Sequence, residues 1–191
     1  VVKTGWDGLI PALNSNKIDM IVAGMTPTAE RKESIDFSES YYTSDIVVVV
    51  KKDSQWAEAK AIGDLAGAKI TAQISTVHYD KFLDQIPNVD KQTALQDFPT
   101  MILALKAGKI DGYISERPGA LSAVAANPDL VFLGFPQGQG FDVEEADTAI
   151  AIGLKKGSEL LDEVNQALAS IPQDTRQQLM EQAVKDQPEE G

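Results

Sequence analysis

One segment of the chain carries side chains of the kind that hold a small carboxylate. Residues 24–42, GMTPTAERKESIDFSESYY, follow a short apolar run and contain Thr26 and Arg31. An arginine guanidinium is always charged and presents paired N–H donors that match the two carboxylate oxygens, whereas a lysine ammonium does not. The pattern favours a pocket for a small carboxylate. The alternative is a solvated surface arginine beside its glutamate neighbours.

A second segment offers groups that suit an anion. The predicted strand 69–73 ends at Gln73 and leads through Ser75 and Thr76 into a predicted helix. The unpaired N–H groups and the dipole at a helix N-terminus favour a negative charge. A carboxylate would fit there, although either hydroxyl could instead serve only as the cap of the helix.

Two further side chains are candidate ligand contacts. The predicted strand 111–115 delivers Glu116 to the same kind of strand end. The alternative for Glu116 is an exposed salt bridge to Arg117, which would contribute little to stability. Trp6 precedes the first predicted helix, and its flat indole can stack on an amide or guanidinium group. Packing at a helix entrance explains Trp6 equally well.

Composition narrows the classes of protein to consider. With 191 residues, 43% hydrophobic and 24% charged, the chain is long enough for one large domain or two small lobes. The net charge of −12, without clustered Lys and Arg, argues against nucleic-acid binding. Cysteine is absent and His78 is the single histidine, so we expect no metal site and no cofactor. No stretch is apolar and long enough for insertion into a membrane.

The elements that position these residues follow from local patterns. The run 18–23, IDMIVA, predicts a buried strand that ends at Gly24. Thr26 followed by Pro27 predicts a helix start, with Thr26 as the N-cap and Pro27 at the first helical position. Further helical segments are expected at 62–65, from 75 or 76, at 100–106, 118–126, 158–170 and 173–184, and residues 186–191 are expected to form a frayed acidic tail.

A repeated sequence pattern and two β-branched runs predict the domain organisation. Residues 9–19, LIPALNSNKID, and 101–111, MILALKAGKID, each read as a helix, a turn and the start of a buried strand. The repeating unit is that of an α/β sheet, whether or not the two copies are related. The runs 41–52 and 148–156 predict hinge crossovers. Lobe one would then comprise 1–50 plus 148–191, and lobe two would be the inserted segment 51–147.

The segment 24–42 resembles the signature of periplasmic-type (type II, family 3) amino-acid-binding proteins of ABC importers, and the resemblance extends over nearly the whole chain. It implies an α/β, two-lobed periplasmic-binding-protein-like fold with a ligand cleft between the lobes, and with the N-terminal part of lobe one missing. In that family the arginine, here Arg31, holds the ligand carboxylate. A glycine carbonyl and a hydroxyl, here Gly24 and Thr26, hold its ammonium, and Trp6 stands where an aromatic faces the ligand side chain.

The resemblance also assigns residues in the second lobe. The letters QIST, which include Gln73 and Ser75, stand where the family has a loop whose last threonine, here Thr76, binds the ligand carboxylate. An isoleucine replaces the usual glycine of that loop. Glu116 replaces the usual aspartate that pairs with the ligand ammonium, so its charge is retained while its reach changes.

The implied function is extracytoplasmic binding of a polar L-amino acid for delivery to an ABC importer. Trp6, Glu116 and the net negative charge favour arginine, lysine or histidine as the ligand, and then glutamine. The implied partners are the amino acid and a membrane permease. Catalytic residues are not expected, and a signal or anchor segment is not found in this chain. An exposed sheet edge would permit dimerisation or strand exchange.

Two alternatives stay open at this point. One is a ligand-sensing domain of a receptor or a transporter-fused domain. The other is an enzyme on the same scaffold, a cyclohexadienyl or arogenate dehydratase, in which Glu116 would act as the acid. A general acid needs a pKa matched to its task, and the sequence alone does not reveal one.

Overall fold

The structure is a computed structural model that describes residues 1–186. Two compact units emerge from the packing of the chain. The first comprises Val1–Ser44 with Glu144–Gln182, and the second is built on Asp45–Val143. In chain order the helices are α1 (Leu9–Asn14), α2 (Ala29–Ser34), α3 (Phe98–Lys106), α4 (Arg117–Ala126), α5 (Glu145–Thr148), α6 (Leu160–Ala169) and α7 (Gln173–Lys185). The strands are β1 (Met20–Ile21), β2 (Ile35–Thr43), β3 (Ile46–Lys51), β4 (Lys69–Thr71), β5 (Asp90–Lys91), β6 (Gly112–Glu116), β7 (Leu130–Leu133) and β8 (Ala149–Lys155).

The first unit is organised around a three-stranded antiparallel sheet of order β1-β8-β2. One face packs a small core in which Leu13, Ile21, Met25 and Ile35 are almost fully buried. The side chain of Trp6 lies against this core. Strand β1 ends three residues before the Gly24 segment, so the sheet fixes the point from which that segment starts.

The second unit contains a five-stranded mixed sheet of order β5-β4-β6-β3-β7. Strand β4 is parallel to β6, whereas β3 is antiparallel to both of its neighbours. Successive side chains of β3 alternate between faces. Val48 and Val50 pack with Phe82 on one face, while Val47 and Val49 pack with Met101 on the other. Both faces are covered, which explains the continuous apolar run in the sequence.

The predicted α/β class is confirmed, but several local expectations change. The β-branched run 41–52 is shared between two strands: the chain leaves the first sheet after β2 and enters the second as β3. At this break the Ser44 N–H donates to the Thr148 carbonyl, and the Asp45 carbonyl accepts from the Arg117 N–H. Strand β7 was not predicted. The expected acidic tail, apart from Asp186, lies outside the described residues.

The helix expected near Ser75 and Thr76 is found, but it begins about two residues later, after a tight turn. It is a π-helical stretch, His78–Phe82, followed by a short 3-10 turn, Leu83–Gln85. Ser75 has a φ of 57°, in the left-handed region, which interrupts a right-handed helix before it begins. No helix among residues 1–186 has both the length and the apolar character needed to cross a bilayer.

Gly112 allows β6 to lie close to β3. A Cβ at this position would lie 2.9 Å from the Val49 carbonyl oxygen and 3.0 Å from Ile70 Cδ1. Because the Val49 contact is with backbone, relief requires movement of a strand. We expect Gly112→Ala to lower the free energy of unfolding by about 1 to 3 kcal/mol in denaturant titrations. Gly63→Ala is the control, since nothing lies within 4 Å of its added Cβ. Equal stability of the two variants would contradict the close approach.

Candidate ligand-binding site

The segment before α2 places Arg31 by a hydroxyl cap. Helix α2 begins at Ala29, and the Thr28 side chain accepts a hydrogen bond from the Arg31 N–H at 3.2 Å. The prediction that Thr26 is the N-cap, with Pro27 at the first helical position, is therefore wrong. The Thr26 carbonyl instead accepts from the Thr28 N–H at 2.9 Å, which closes a tight turn just before the helix. The cap is thus shifted by two residues.

The guanidinium of Arg31 folds back over this turn. Its Nη1 donates to the Thr26 carbonyl at 2.8 Å, and its Cζ lies 5.5 Å from the centre of the Trp6 ring. A cation over an indole face is attracted by the ring quadrupole. Arg31 is half-buried rather than extended into solvent. The structure therefore brings Trp6, Thr26 and Arg31 together within the first unit.

Two hydrogen-bonding groups beside Arg31 have no protein partner. Thr26 is only 8% exposed, yet among residues 1–186 its hydroxyl makes no hydrogen bond. The carbonyl oxygen of Gly24 is likewise unused within that range, whereas the neighbouring Ala23 carbonyl accepts from the Tyr41 hydroxyl at 2.9 Å. A hydroxyl oxygen and a carbonyl oxygen without protein partners can each accept a hydrogen bond from a donor supplied by a ligand.

The corner between α2 and β2 is fixed by a lysine. Lys156 Nζ lies 2.9 Å from a carboxylate oxygen of Asp36 and donates to the Lys32 carbonyl at 2.7 Å. The Gly157 N–H donates to the same carboxylate. The hydrogen bonds from Lys156 and Gly157 lower the pKa of Asp36. This network ties the end of α2, which carries Arg31, to the sheet of the first unit.

In the second unit, the turn after β4 brings Gln73 and Thr76 together. The Thr76 hydroxyl donates to the Gln73 carbonyl at 2.7 Å, and Gln73 Nε2 donates to the Gln96 carbonyl at 2.9 Å. The hydroxyl proton of Thr76 is thus already used inside the turn. Its backbone N–H is not used within the described residues, and Thr76 is only 5% exposed. Ser75, between them, is exposed.

Glu116 is the last residue of β6, and β4 and β6 are adjacent parallel strands. Glu116 and the turn at Gln73 therefore follow carboxyl ends on the same edge of the sheet. The expected alternative, a salt bridge to Arg117, is not found in the described part of the chain. The Arg117 guanidinium lies 5.4 Å from the centre of the Phe132 ring instead.

The carboxyl of Glu116 is half-buried, and desolvation raises its pKa to about 7. Ser115 does not offset this cost, because its hydroxyl donates to the main-chain carbonyl of Glu116 and not to the carboxyl. Among residues 1–186 no group of three or more potential ligating side chains is arranged to hold a metal ion. In the first unit Arg31 suits a carboxylate, and in the second unit Glu116 suits a cationic group.

Some features of the site were not found from the sequence. The role of Thr28 was missed because the Thr-Pro pair at 26–27 gave a stronger local signal two residues earlier. The stacking of Arg117 on Phe132 was missed because nothing local connects a residue after β6 with one on β7. The eight candidate residues remain predictions, and the structure places them at or near strand ends and helix starts, where side chains and unpaired backbone groups are available.

The sequence matches the bacterial extracellular solute-binding proteins, family 3, over residues 1–186, and the chain belongs to that family. It is 39% identical over 130 residues to a probable histidine-binding protein of Campylobacter jejuni, covering 68% of this chain and 49% of that protein. It is 34% identical over 167 residues to the arginine-binding extracellular protein ArtP of Bacillus subtilis, covering 87% of this chain and 62% of ArtP. The predicted resemblance is confirmed.

A solved structure supports the same fold. The amino-acid ABC transporter substrate-binding protein of Streptococcus pneumoniae, bound to L-arginine, matches 96% of this chain and 75% of its own, with a TM-score of 0.81 and 29% identity. The present chain spans about half to three-fifths of the length of the two curated relatives.

The displaced cap can be tested by paired substitutions that keep side-chain shape. We expect Thr28→Val to lower the free energy of unfolding by about 1 kcal/mol, because it removes the acceptor for the Arg31 N–H. Thr26→Val should have little effect on stability, since the Thr26 hydroxyl has no protein partner among the described residues. Chemical denaturation of both variants measures the difference. A larger loss for Thr26→Val would place the cap back at Thr26.

Proposed function

We propose that this chain binds a polar L-amino acid outside the cytoplasm and delivers it to the permease of an ABC importer, and that the ligand is cationic. One observation carries the proposal. Arg31 is held by the Thr26 carbonyl and the Trp6 ring, next to acceptors at Gly24 and Thr26 that lack protein partners. The names of the histidine-binding and arginine-binding relatives support the cationic class.

The proposed binding mode pairs each end of a zwitterion. Arg31 would hold the α-carboxylate, and the backbone N–H of Thr76 would add a second donor. The Gly24 carbonyl, the Thr26 hydroxyl and Glu116 would receive the α-ammonium. Burial of a zwitterion requires that every charge be paired, so a group missing at either end costs affinity.

The two units are proposed to act as the two lobes of the binder. Lobe one would be 1–50 plus 148–191 and lobe two 51–147, with the crossovers near 41–52 and 148–156 as hinges. Ligand-dependent closure about a few element-terminal residues is a common way to sequester a small molecule. The permease would then recognise the closed form. Use of the same binding site in a receptor or a transporter-fused domain would involve the same ligand contacts.

One observation favours a second function. Burial raises the pKa of Glu116 to about 7, which is a value suited to a general acid. A dehydratase would also need a group aligned with the leaving hydroxyl, and a raised carboxyl pKa does not supply that group. We therefore propose that the chain is not an enzyme. Formation of an aromatic product from prephenate or arogenate would contradict this proposal.

The role of Arg31 is tested by its removal. We expect Arg31→Ala to weaken the binding of L-arginine by about 3 kcal/mol or more, about a hundredfold in Kd, because the ligand carboxylate loses its counter-charge. Isothermal titration calorimetry measures the change. Lys32→Ala is the matched control, since Lys32 is an exposed cation on the same helix, and it should retain the parent affinity. Retained micromolar affinity in Arg31→Ala would contradict the proposed role.

The ligand class is tested by a thermal-shift screen of the twenty amino acids. Ligands that bind the folded protein raise Tm by mass action. We expect the largest increases with arginine, lysine or histidine, followed by glutamine, because two similar proteins are named for the binding of histidine and arginine. Stabilisation by leucine alone would refute this order.

A further inference from the structure

Glu116 is partly withdrawn from water and has no counter-charge in its own unit. Glu116 is half-buried at the end of β6, and within the described residues of the second unit no cation or hydrogen-bond donor contacts its carboxyl. It precedes helix α4 as the N-cap residue, but its side chain makes no capping hydrogen bond. An ionised carboxylate in such a place loses hydration without compensation.

The ionisable groups on neighbouring elements do not offset this cost. Asp45, before β3, and Asp97, before α3, are acidic, and Asp97 caps α3 through the Thr100 N–H. Arg117, at the start of α4, is stacked on Phe132. His78 lies on the π-helical stretch that packs against β6, and its ring contacts Phe82 at 6.3 Å between centroids. The positive charge that would stabilise ionised Glu116 is therefore best supplied by a ligand.

We propose that a substantial fraction of Glu116, about half at pH 7 and most of it at pH 6, is protonated in the empty site and that the arriving ammonium group displaces this proton. The step is balanced: the O–H bond of the carboxyl breaks, the proton passes to solvent, and the carboxylate pairs with the ammonium. This inference rests on the proposed function and adds that amino-acid binding is coupled to proton release. Binding would therefore weaken in acidic surroundings.

The sign and size of the coupling follow from linkage. Without ligand, burial raises the pKa of Glu116 to about 7. A bound ammonium favours the ionised form and lowers that pKa. Between the two pKa values each binding event releases close to one proton, so Kd rises by about tenfold for each unit that the pH falls. At pH 7 about half a proton is released, and above pH 8.5 the release approaches zero.

Calorimetry in buffers of different ionisation enthalpy counts the released protons. The titrant is L-arginine, or the amino acid that gives the largest thermal shift. The parent protein should release close to one proton per ligand at pH 6 and almost none at pH 8.5. Glu116→Gln should release none and bind with an affinity that does not depend on pH in this range. Glu163→Gln, which removes an exposed carboxyl of α6, should behave as the parent does. Binding by the parent without proton release at pH 6 would overturn the inference.

A second measurement does not need a ligand. Carbon-13 NMR of the side-chain carboxyls, with Glu116→Gln used to assign the signal, should show Glu116 of the ligand-free protein titrating near pH 7. Titration near pH 4 to 5 would overturn the inference even if amino acids bind. If none of the twenty binds, the proposed function fails and the coupled step fails with it. The midpoint of the Glu116 titration measured by NMR still decides whether the Glu116 carboxyl is protonated in the empty site.

Discussion

The fixed position of the Arg31 guanidinium is the feature on which the rest of the candidate site depends. An arginine side chain has several rotatable bonds, and its ordering costs entropy unless other contacts hold it. Here the Thr26 carbonyl holds one nitrogen and the Trp6 ring lies against the guanidinium. The Thr28 cap fixes the start of the helix that carries it. A guanidinium that is already ordered can bind a carboxylate without a further loss of side-chain entropy.

The two units contribute different kinds of groups. The first unit offers a cation beside unpaired acceptors, all within one turn and the first turn of α2. The second offers a backbone donor at Thr76 and a carboxyl at Glu116, each after the end of a strand in one sheet. The guanidinium of the first unit complements a carboxylate, and the carboxyl of the second complements an ammonium group. Family membership agrees with this chemistry, since the family comprises extracellular solute-binding proteins.

The Glu116 carboxyl has no charge partner in the empty protein. Glu116 is half-buried, and its carboxyl has no protein partner among the described residues of its own unit. Ionisation of this carboxyl in the empty protein costs stability, because desolvation is not offset by hydrogen bonds or charge pairs. In a binding protein this cost can be recovered when the ligand arrives. The stability of the empty protein and its affinity for the ligand are therefore linked through the Glu116 carboxyl.

The sequence by itself determined the α/β class and most helices, because apolar periodicity and cap signals are local. Only the tertiary structure moved the cap of α2 to Thr28, placed the break within the run 41–52 at Ser44 and Asp45, and made the helix after Thr76 a π-helical stretch. It also decided that Arg117 stacks on Phe132 and leaves Glu116 without its neighbour's charge. These outcomes depend on hydrogen bonds and ring contacts between residues on different elements, and no local pattern specifies which of several possible partners will be within reach.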